Sequence, residues 1–286
     1  MGLVISILIS GCIGGSDSKD NNETNSTEKV QKVTMPSTVV MANDDFSNLQ
    51  LTDIRKPVFD KYTIWERQAA GLPMELPEIK PYVGEKIAYL TFDDGPDNKN
   101  TPKILDILKN YGVPATFYVC GNMVELYPDV LKRIFAEGHA IGNHSYNHNY
   151  KELYPSTEKF LKQLNDTDEI IKSVIGVRPL IIRTPGGRVG MWTANYEPLM
   201  QACGYVEHDW NVSVEDATAK KPNAQQIISI FKSQIEGSFK DNAAIILMHS
   251  NSGKEQTVDA LPAIIETLVR KNYSFGVITP MTPQPW

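Results

Sequence analysis

The chain has 286 residues, of which 41% are hydrophobic, with 34 acidic against 28 basic side chains and a net charge of −6. That is enough apolar content for one large α/β domain or two small ones. The acidic balance excludes the broad basic face that holds phosphate backbones, so no nucleic-acid partner is expected. Past the N-terminus no apolar run approaches the roughly 20 residues that span a bilayer.

At the N-terminus, Leu3 to Ser10 is apolar but too short to span, and Gly11-Cys12 follows it directly. This pattern matches the hydrophobic stretch of an export signal with small residues before the cut. Ile9-Ser10-Gly11-Cys12 resembles a bacterial lipobox. Residues 1–12 are therefore read as a signal peptide ending at Cys12, the lipidation site. The mature protein is expected to be an exported lipoprotein, held to the membrane by its acyl chains and facing the cell wall. No Lys or Arg precedes the apolar run, a departure that points to a start upstream of Met1. Residues 13–35 are almost wholly polar and are expected to form a flexible linker. Residues 36–83 include Pro57, Pro73, Pro77 and Pro81. They read as an irregular extension packed on the main domain, with one short helix around residues 60–71. Cys120 and Cys203 lack Cys-x-x-Cys spacing and are expected to be free, buried thiols.

From Gly84 onward strand-like and helix-like runs alternate. Strands are expected at residues 87–92, 116–120, 140–143, 180–183, 206–210, 243–249 and 274–278. Helices are expected at 102–110, 124–137, 156–175, 195–203, 224–236 and 257–271, with Gly112, Gly138, Gly176 and Gly204 just past helix ends. Such alternation implies an α/β domain over residues 84–280 with a parallel sheet of about seven strands, closed as a barrel or left open, and residues 281–286 as a tail. In either form the functional residues collect at the C-terminal ends of strands. Asp93, Asp94, His144, Arg183 and His249 all fall at such ends, and unrelated structural charges have no reason to gather on one rim.

Thr91-Phe92-Asp93-Asp94-Gly95-Pro96 places two carboxylates where an apolar strand breaks into a turn, so both can face one rim. A divalent ion on one of them would leave the other free to accept a proton. His144 and His148 stand at i and i+4, neighbours if that segment makes a helical turn. With Asp94 they form a two-imidazole, one-carboxylate set suited to zinc, with cobalt, nickel and manganese as alternatives, rather than to all-oxygen ions. Taken alone, a pair of histidines at this spacing is more often a surface pair. Arg183 precedes Thr184-Pro185-Gly186-Gly187, which offers a guanidinium for Asp93 and exposed backbone N–H groups at both glycines. His249 ends an all-apolar strand and suits a general acid. Asp216, or in competition Asp209, could orient its other ring nitrogen. Trp210 either lines the cleft or fills core, while His139 and His208 read as structural.

With these segments in place, residues from about 86 to 279 resemble the polysaccharide deacetylases, the NodB-homology domain of carbohydrate esterase family 4. The resemblance implies a distorted (β/α) barrel. It also implies that Asp93 is the catalytic base, that Asp94, His144 and His148 hold the metal, and that Arg183 orients the base. Pro185 and Gly186 then belong to the oxyanion turn, Leu247 lines the acetyl pocket and His249 is the acid. Two departures stand out: the Tyr that usually follows the Pro is Gly186 here, and Asp216 is followed by Ala217 rather than Trp. Both imply a more open cleft. The expected reaction is deacetylation of N-acetylated sugars, with peptidoglycan favoured by the export signal. The rivals are the same chemistry on an O-acetyl ester of a xylan-type polymer, and a non-catalytic wall-binding lipoprotein.

Overall fold

In the computed structural model the described residues are 38–84, 86–236 and 243–285. The first of the chain's two units, Met1–Lys32, lies outside them, and so do the signal, Cys12 and linker expected there.

In chain order the elements are β1 (Val40–Met41), β2 (Val58–Asp60), α1 (Ile64–Ala69), β3 (Ile87–Gly95), α2 (Asn100–Tyr111), β4 (Thr116–Val119), α3 (Gly121–Leu126), α4 (Pro128–Ala136), β5 (Ala140–Asn143), α5 (Tyr150–Leu153), α6 (Thr157–Ile175), β6 (Arg178–Pro179), β7 (Ile181–Ile182), α7 (Tyr196–Ala202), β8 (Val206–Glu207), β9 (Val212–Ser213), α8 (Ala224–Ile235), β10 (Ala243–His249), α9 (Glu255–Arg270) and β11 (Ser274–Gly276). The main sheet runs β8-β7-β5-β4-β3-β10-β9, with β11 added beside β3, and its pairings are parallel. No described pairing joins β8 to β9, so the sheet curls into a barrel open on that side. The alternation of elements left a closed or an open sheet possible, and this is the distorted parallel barrel that the family resemblance implied.

The period-2 alternation of β3 sorts its side chains into two layers. Ala88, Leu90 and Phe92 point to the helices, packing in one core with Ile104, Leu105 and Leu108 of α2 and Ile264 and Leu268 of α9. Ile87 and Tyr89 point the other way, into a second core with Tyr118, Ile245 and Val277 inside the barrel. Thr91 and Asp93 continue that inner row to the rim. β10 pairs with β3 in unbroken register from Ala243↔Ile87 to Leu247↔Thr91 and His249↔Asp93. The acid proposed from sequence thus lands directly opposite the proposed base.

Three expectations need correction. The helix expected at 124–137 is two helices, because Tyr127 leaves helical geometry (φ −132°, ψ 53°) and Pro128 begins α4; proline lacks the N–H that a continuous helix requires. Val212–Ser213 is a strand that the sequence reading missed. The extension is not irregular throughout: β1 pairs with β2, and β2 runs antiparallel to β6 in a separate small sheet. Buried charge fastens that sheet. Asp60 accepts from Arg67 Nε at 2.5 Å and from Arg178 Nη2 at 3.1 Å, and Arg178 also reaches Asp168 at 3.4 Å. Cys120 and Cys203 are free and buried.

Candidate active site

β3 carries both carboxylates to the rim by a local break in its regularity. Its pairing with β4 slips between Phe92 and Gly95, and Asp94 takes φ +68°. Such a bulge re-aims a side chain that strict alternation would send to the far face. The positive φ sits on Asp94 and not on Gly95. Gly95 is needed for close approach instead, since a Cβ there would collide with Ser250 Oγ.

His144 and His148 converge without a helical turn, which corrects the reason given for their spacing. They occupy an irregular segment after β5 with Ser145 at φ +69° and His148 at φ +55°, and their ring centroids are 5.2 Å apart. His144 Nδ1 lies 2.8 Å from the Arg183 carbonyl oxygen. A carbonyl only accepts, so Nδ1 carries the proton and Nε2 presents a lone pair. That Nε2 and the His148 Nε2 each stand 3.5 Å from Asp94 Oδ1. Asp94 Oδ1 is itself buried with no hydrogen-bond partner, an uncommon state for a carboxylate oxygen. Ligands at about 2.1 Å from one tetrahedral ion stand about 3.4 Å apart, so an orphaned oxygen between two imidazoles suits a divalent cation. The three groups form the one cluster among the described residues whose ligand atoms all fall within 4.8 Å of one another. Burial works to raise the Asp94 pKa, but His144, His249 and His148 outweigh it and hold the carboxyl well below its usual range. Burial and the neighbouring His144 lower the His148 pKa, favouring the neutral ligand form.

Arg183, fully buried, is committed on every side. It donates to His208 O (2.9 Å), Thr91 Oγ1 (2.6 Å), Asp93 Oδ1 (2.9 Å) and Asp209 O (3.1 Å). Asp93 Oδ2 is left facing His144 Nε2 at 3.8 Å, toward the cluster. The following turn has Pro185 at its first corner and Gly186 at φ +81° at its second, with the Gly187 N–H donating to Thr184 O at 2.8 Å. The expectation of two exposed N–H groups is thus corrected to one. Among the described residues nothing accepts from the Gly186 N–H.

The structure sets Asp216, not Asp209, against His249. Asp216 Oδ1 lies 2.8 Å from His249 Nδ1, and its Oδ2 accepts from the His249 N–H at 2.9 Å and from Thr257 Oγ1 at 2.7 Å. Asp209 accepts from the Arg188 N–H instead. Burial alone would lower the His249 pKa; the bond to Asp216 and that carboxylate's charge reverse this and raise it. Leu247 shares the inner face with His249 and is 8% exposed. Trp210 packs beside the Arg183 guanidinium and joins the inner core, and no described contact takes it to the imidazoles. His139 Nδ1 accepts from the Ala115 N–H and His208 Nε2 donates to Thr282 O, both away from the cluster.

The sequence reading missed four residues at the site. Thr91 is legible in retrospect, two positions before Asp93 and so on the same face. Thr257, which braces Asp216, lies in the first turn of α9. Asn251 Nδ2 reaches Asp94 Oδ2 at 3.4 Å, and Tyr150 stacks beside His148 with centroids 5.3 Å apart. The last two come from loops or short turns, where no periodicity announces them. The open cleft expected at Gly186 is partly filled by the Tyr150 hydroxyl.

A parallel α/β barrel with a carboxylate and an imidazole opposed at one rim, beside a two-imidazole, one-carboxylate cluster, has the parts of a hydrolase. The polysaccharide deacetylase family model matches residues 80–208. The chain is 32% identical over 222 residues to the putative polysaccharide deacetylase YheN of Bacillus subtilis, spanning 74% of this chain and 77% of that protein. A peptidoglycan-N-acetylglucosamine deacetylase of Bacillus cereus is 34% identical over 191 residues, 66% of this chain and 68% of the relative. Among solved structures, the catalytic domain of a Eubacterium rectale peptidoglycan N-acetylglucosamine deacetylase superposes with a TM-score of 0.65 at 32% identity, covering 73% of this chain and 95% of that one. The chain belongs to the polysaccharide deacetylase family.

Proposed function

We propose that the protein is a metal-dependent N-deacetylase that removes acetyl groups from N-acetylated sugars, with peptidoglycan as its polymer. The observation that carries the reading is the orphaned Asp94 oxygen, 3.5 Å from the Nε2 atoms of both His144 and His148 and flanked by an Arg-held carboxylate and an Asp-held imidazole. Asp94, His144 and His148 would hold a divalent ion, with zinc favoured by the donor set and cobalt, nickel or manganese as alternatives. When bound, such an ion supplies Lewis acidity and makes water easier to deprotonate.

The protein's own groups do the rest. Asp93 takes the proton of the attacking water at Oδ2, because Oδ1 is held by Arg183. The new C–O bond forms as the acetyl carbonyl oxygen gains negative charge, which the Gly186 N–H can receive; one such donor contributes about 3 kcal/mol to a comparable step. Leu247 offers an apolar surface to the acetyl methyl. His249, with Nδ1 turned to Asp216, presents Nε2 and protonates the departing nitrogen as the C–N bond breaks. Acetate and a free amino sugar leave.

Peptidoglycan as substrate is supported by what the relatives in Bacillus cereus and Eubacterium rectale are named for, together with the export signal read in residues 1–12. Anchoring through Cys12 belongs to the same proposal, and incorporation of labelled palmitate by the wild type but not by Cys12→Ser would test it. No helix among the described residues is long and apolar enough to cross a membrane. The central experiment is acetate release from purified peptidoglycan, chitooligosaccharides and acetylated xylan, before and after chelation and with zinc or cobalt restored. Release from the N-acetylated substrates that chelation abolishes and metal restores is expected. Release from xylan alone would make the protein an O-acetyl esterase, and release from none of the three would end the enzyme reading.

A further inference from the structure

Gly186 and Tyr150 meet in a way that the reaction above leaves unused. A Cβ built on Gly186 would lie 2.6 Å from the Tyr150 hydroxyl oxygen and 3.2 Å from its Cζ. The space that a side chain at 186 would take is therefore occupied by a phenol delivered from α5. Two neighbours fix that ring. One is the His148 imidazole, inclined at 36° with centroids 5.3 Å apart. The other is Tyr154, edge-on at 5.6 Å and itself donating to Pro185 O at 2.5 Å. Tyr150 thus sits between a proposed metal ligand and the oxyanion turn, tied by packing to both.

Its polar end is nevertheless free. Tyr150 is 42% exposed, and among the described residues its hydroxyl has no hydrogen-bond partner. A rigid aromatic with a wet tip fits a pyranose, which offers apolar C–H faces and equatorial oxygens. Glycine at 186 is what leaves room for it.

We propose that Tyr150 is a specificity-determining residue: its ring walls the sugar site beside His148, and its hydroxyl donates a hydrogen bond to an oxygen of the N-acetylated pyranose. The inference rests on the deacetylase reading and deepens it. It makes Gly186 and Tyr150 one unit, because any larger residue at 186 displaces the hydroxyl.

The test uses the full chain loaded with zinc, with an N-acetylglucosamine tetramer as probe. Tyr150→Phe keeps the ring and removes only the oxygen. It is expected to raise KM about five- to tenfold, as loss of one hydrogen bond does, while kcat stays within about twofold and metal content and thermal midpoint stay unchanged. Gly186→Ala is expected to raise KM in the same direction, and the KM effects of the two changes should not add in the double variant. An unchanged KM in Tyr150→Phe, or an effect confined to kcat or to metal content, would overturn the inference while leaving the deacetylase reading intact. If the wild type releases no acetate from the tetramer, the deacetylase reading is what fails for this sugar. Direct titration then decides: the tetramer should bind Asp93→Asn about five times more tightly than Asp93→Asn/Tyr150→Phe, and equal binding or none in both overturns the inference.

Discussion

Asp93 and Asp94 share a peptide bond, yet Asp93 gives its Oδ1 to Arg183 at 2.9 Å while Asp94 Oδ1 has no hydrogen-bond partner at all. Neighbours, not residue type, separate the two proposed roles. Asp93→Asn preserves the side chain's shape and its contact with Arg183, but an amide cannot take a proton from water. It should lower kcat by about 10²- to 10⁴-fold with bound metal unchanged, measured by acetate release and metal analysis on the same sample. Asp216 acts through His249, whose pKa it raises. On the proposed mechanism His249 must be protonated to work, so activity should fall as pH rises through that pKa. Asp216→Asn removes the charge that holds the proton on, and the alkaline limb of kcat/KM should therefore move to lower pH. A limb that stays in place or moves up would show that Asp216 does not tune the acid.

Strands and loops differed sharply in how far the sequence announced them. β3 and β10 were plain as apolar runs ending in chemistry, because strands buried on both faces show no polar interruption. β1, β2, β6 and β9 are two or three residues long, too short for any period to register. The histidine pair was found by spacing, but for the wrong geometric reason: two positive φ values fold that segment, and one of them falls on Ser145, a residue type with little to signal it. What holds the segment is Asn143. Its Oδ1 accepts from the Ser145 N–H at 3.0 Å, while its Nδ2 donates to Leu164 O at 2.8 Å and to Asp168 Oδ1 at 2.7 Å. Asn143→Ala should cost about 1–3 kcal/mol of stability through the unsatisfied groups it leaves. It should also weaken metal binding about tenfold or more, read by competition with a chelating dye. The proposed ligands are thus positioned by Asn143, which no motif or spacing singles out.

At the scale of the molecule, the extension and the barrel share one buried charge network. Asp60 and Arg67 come from the extension, and Arg178 and Asp168 from the barrel; all four are essentially inaccessible to solvent. Through Asp168 the network continues to Asn143 and so to the histidine segment. Removing one member strands its partners' charges, and Asp60→Ala should cost about 3–5 kcal/mol, read as a lower urea midpoint for the whole domain. A loss below about 1 kcal/mol would mean that the extension is an appendage rather than part of the fold. The β3–β10 ladder carries a consequence for synthesis rather than turnover. Along the chain, the proposed proton acceptor and the three proposed ion holders precede the proposed proton donor, which arrives on the last long strand. A translation product cut short before that strand carries the proposed base and the three proposed ion holders but neither Leu247 nor His249. On the proposed mechanism, the means of protonating the leaving nitrogen is therefore among the last parts of the site to be made as the polypeptide grows.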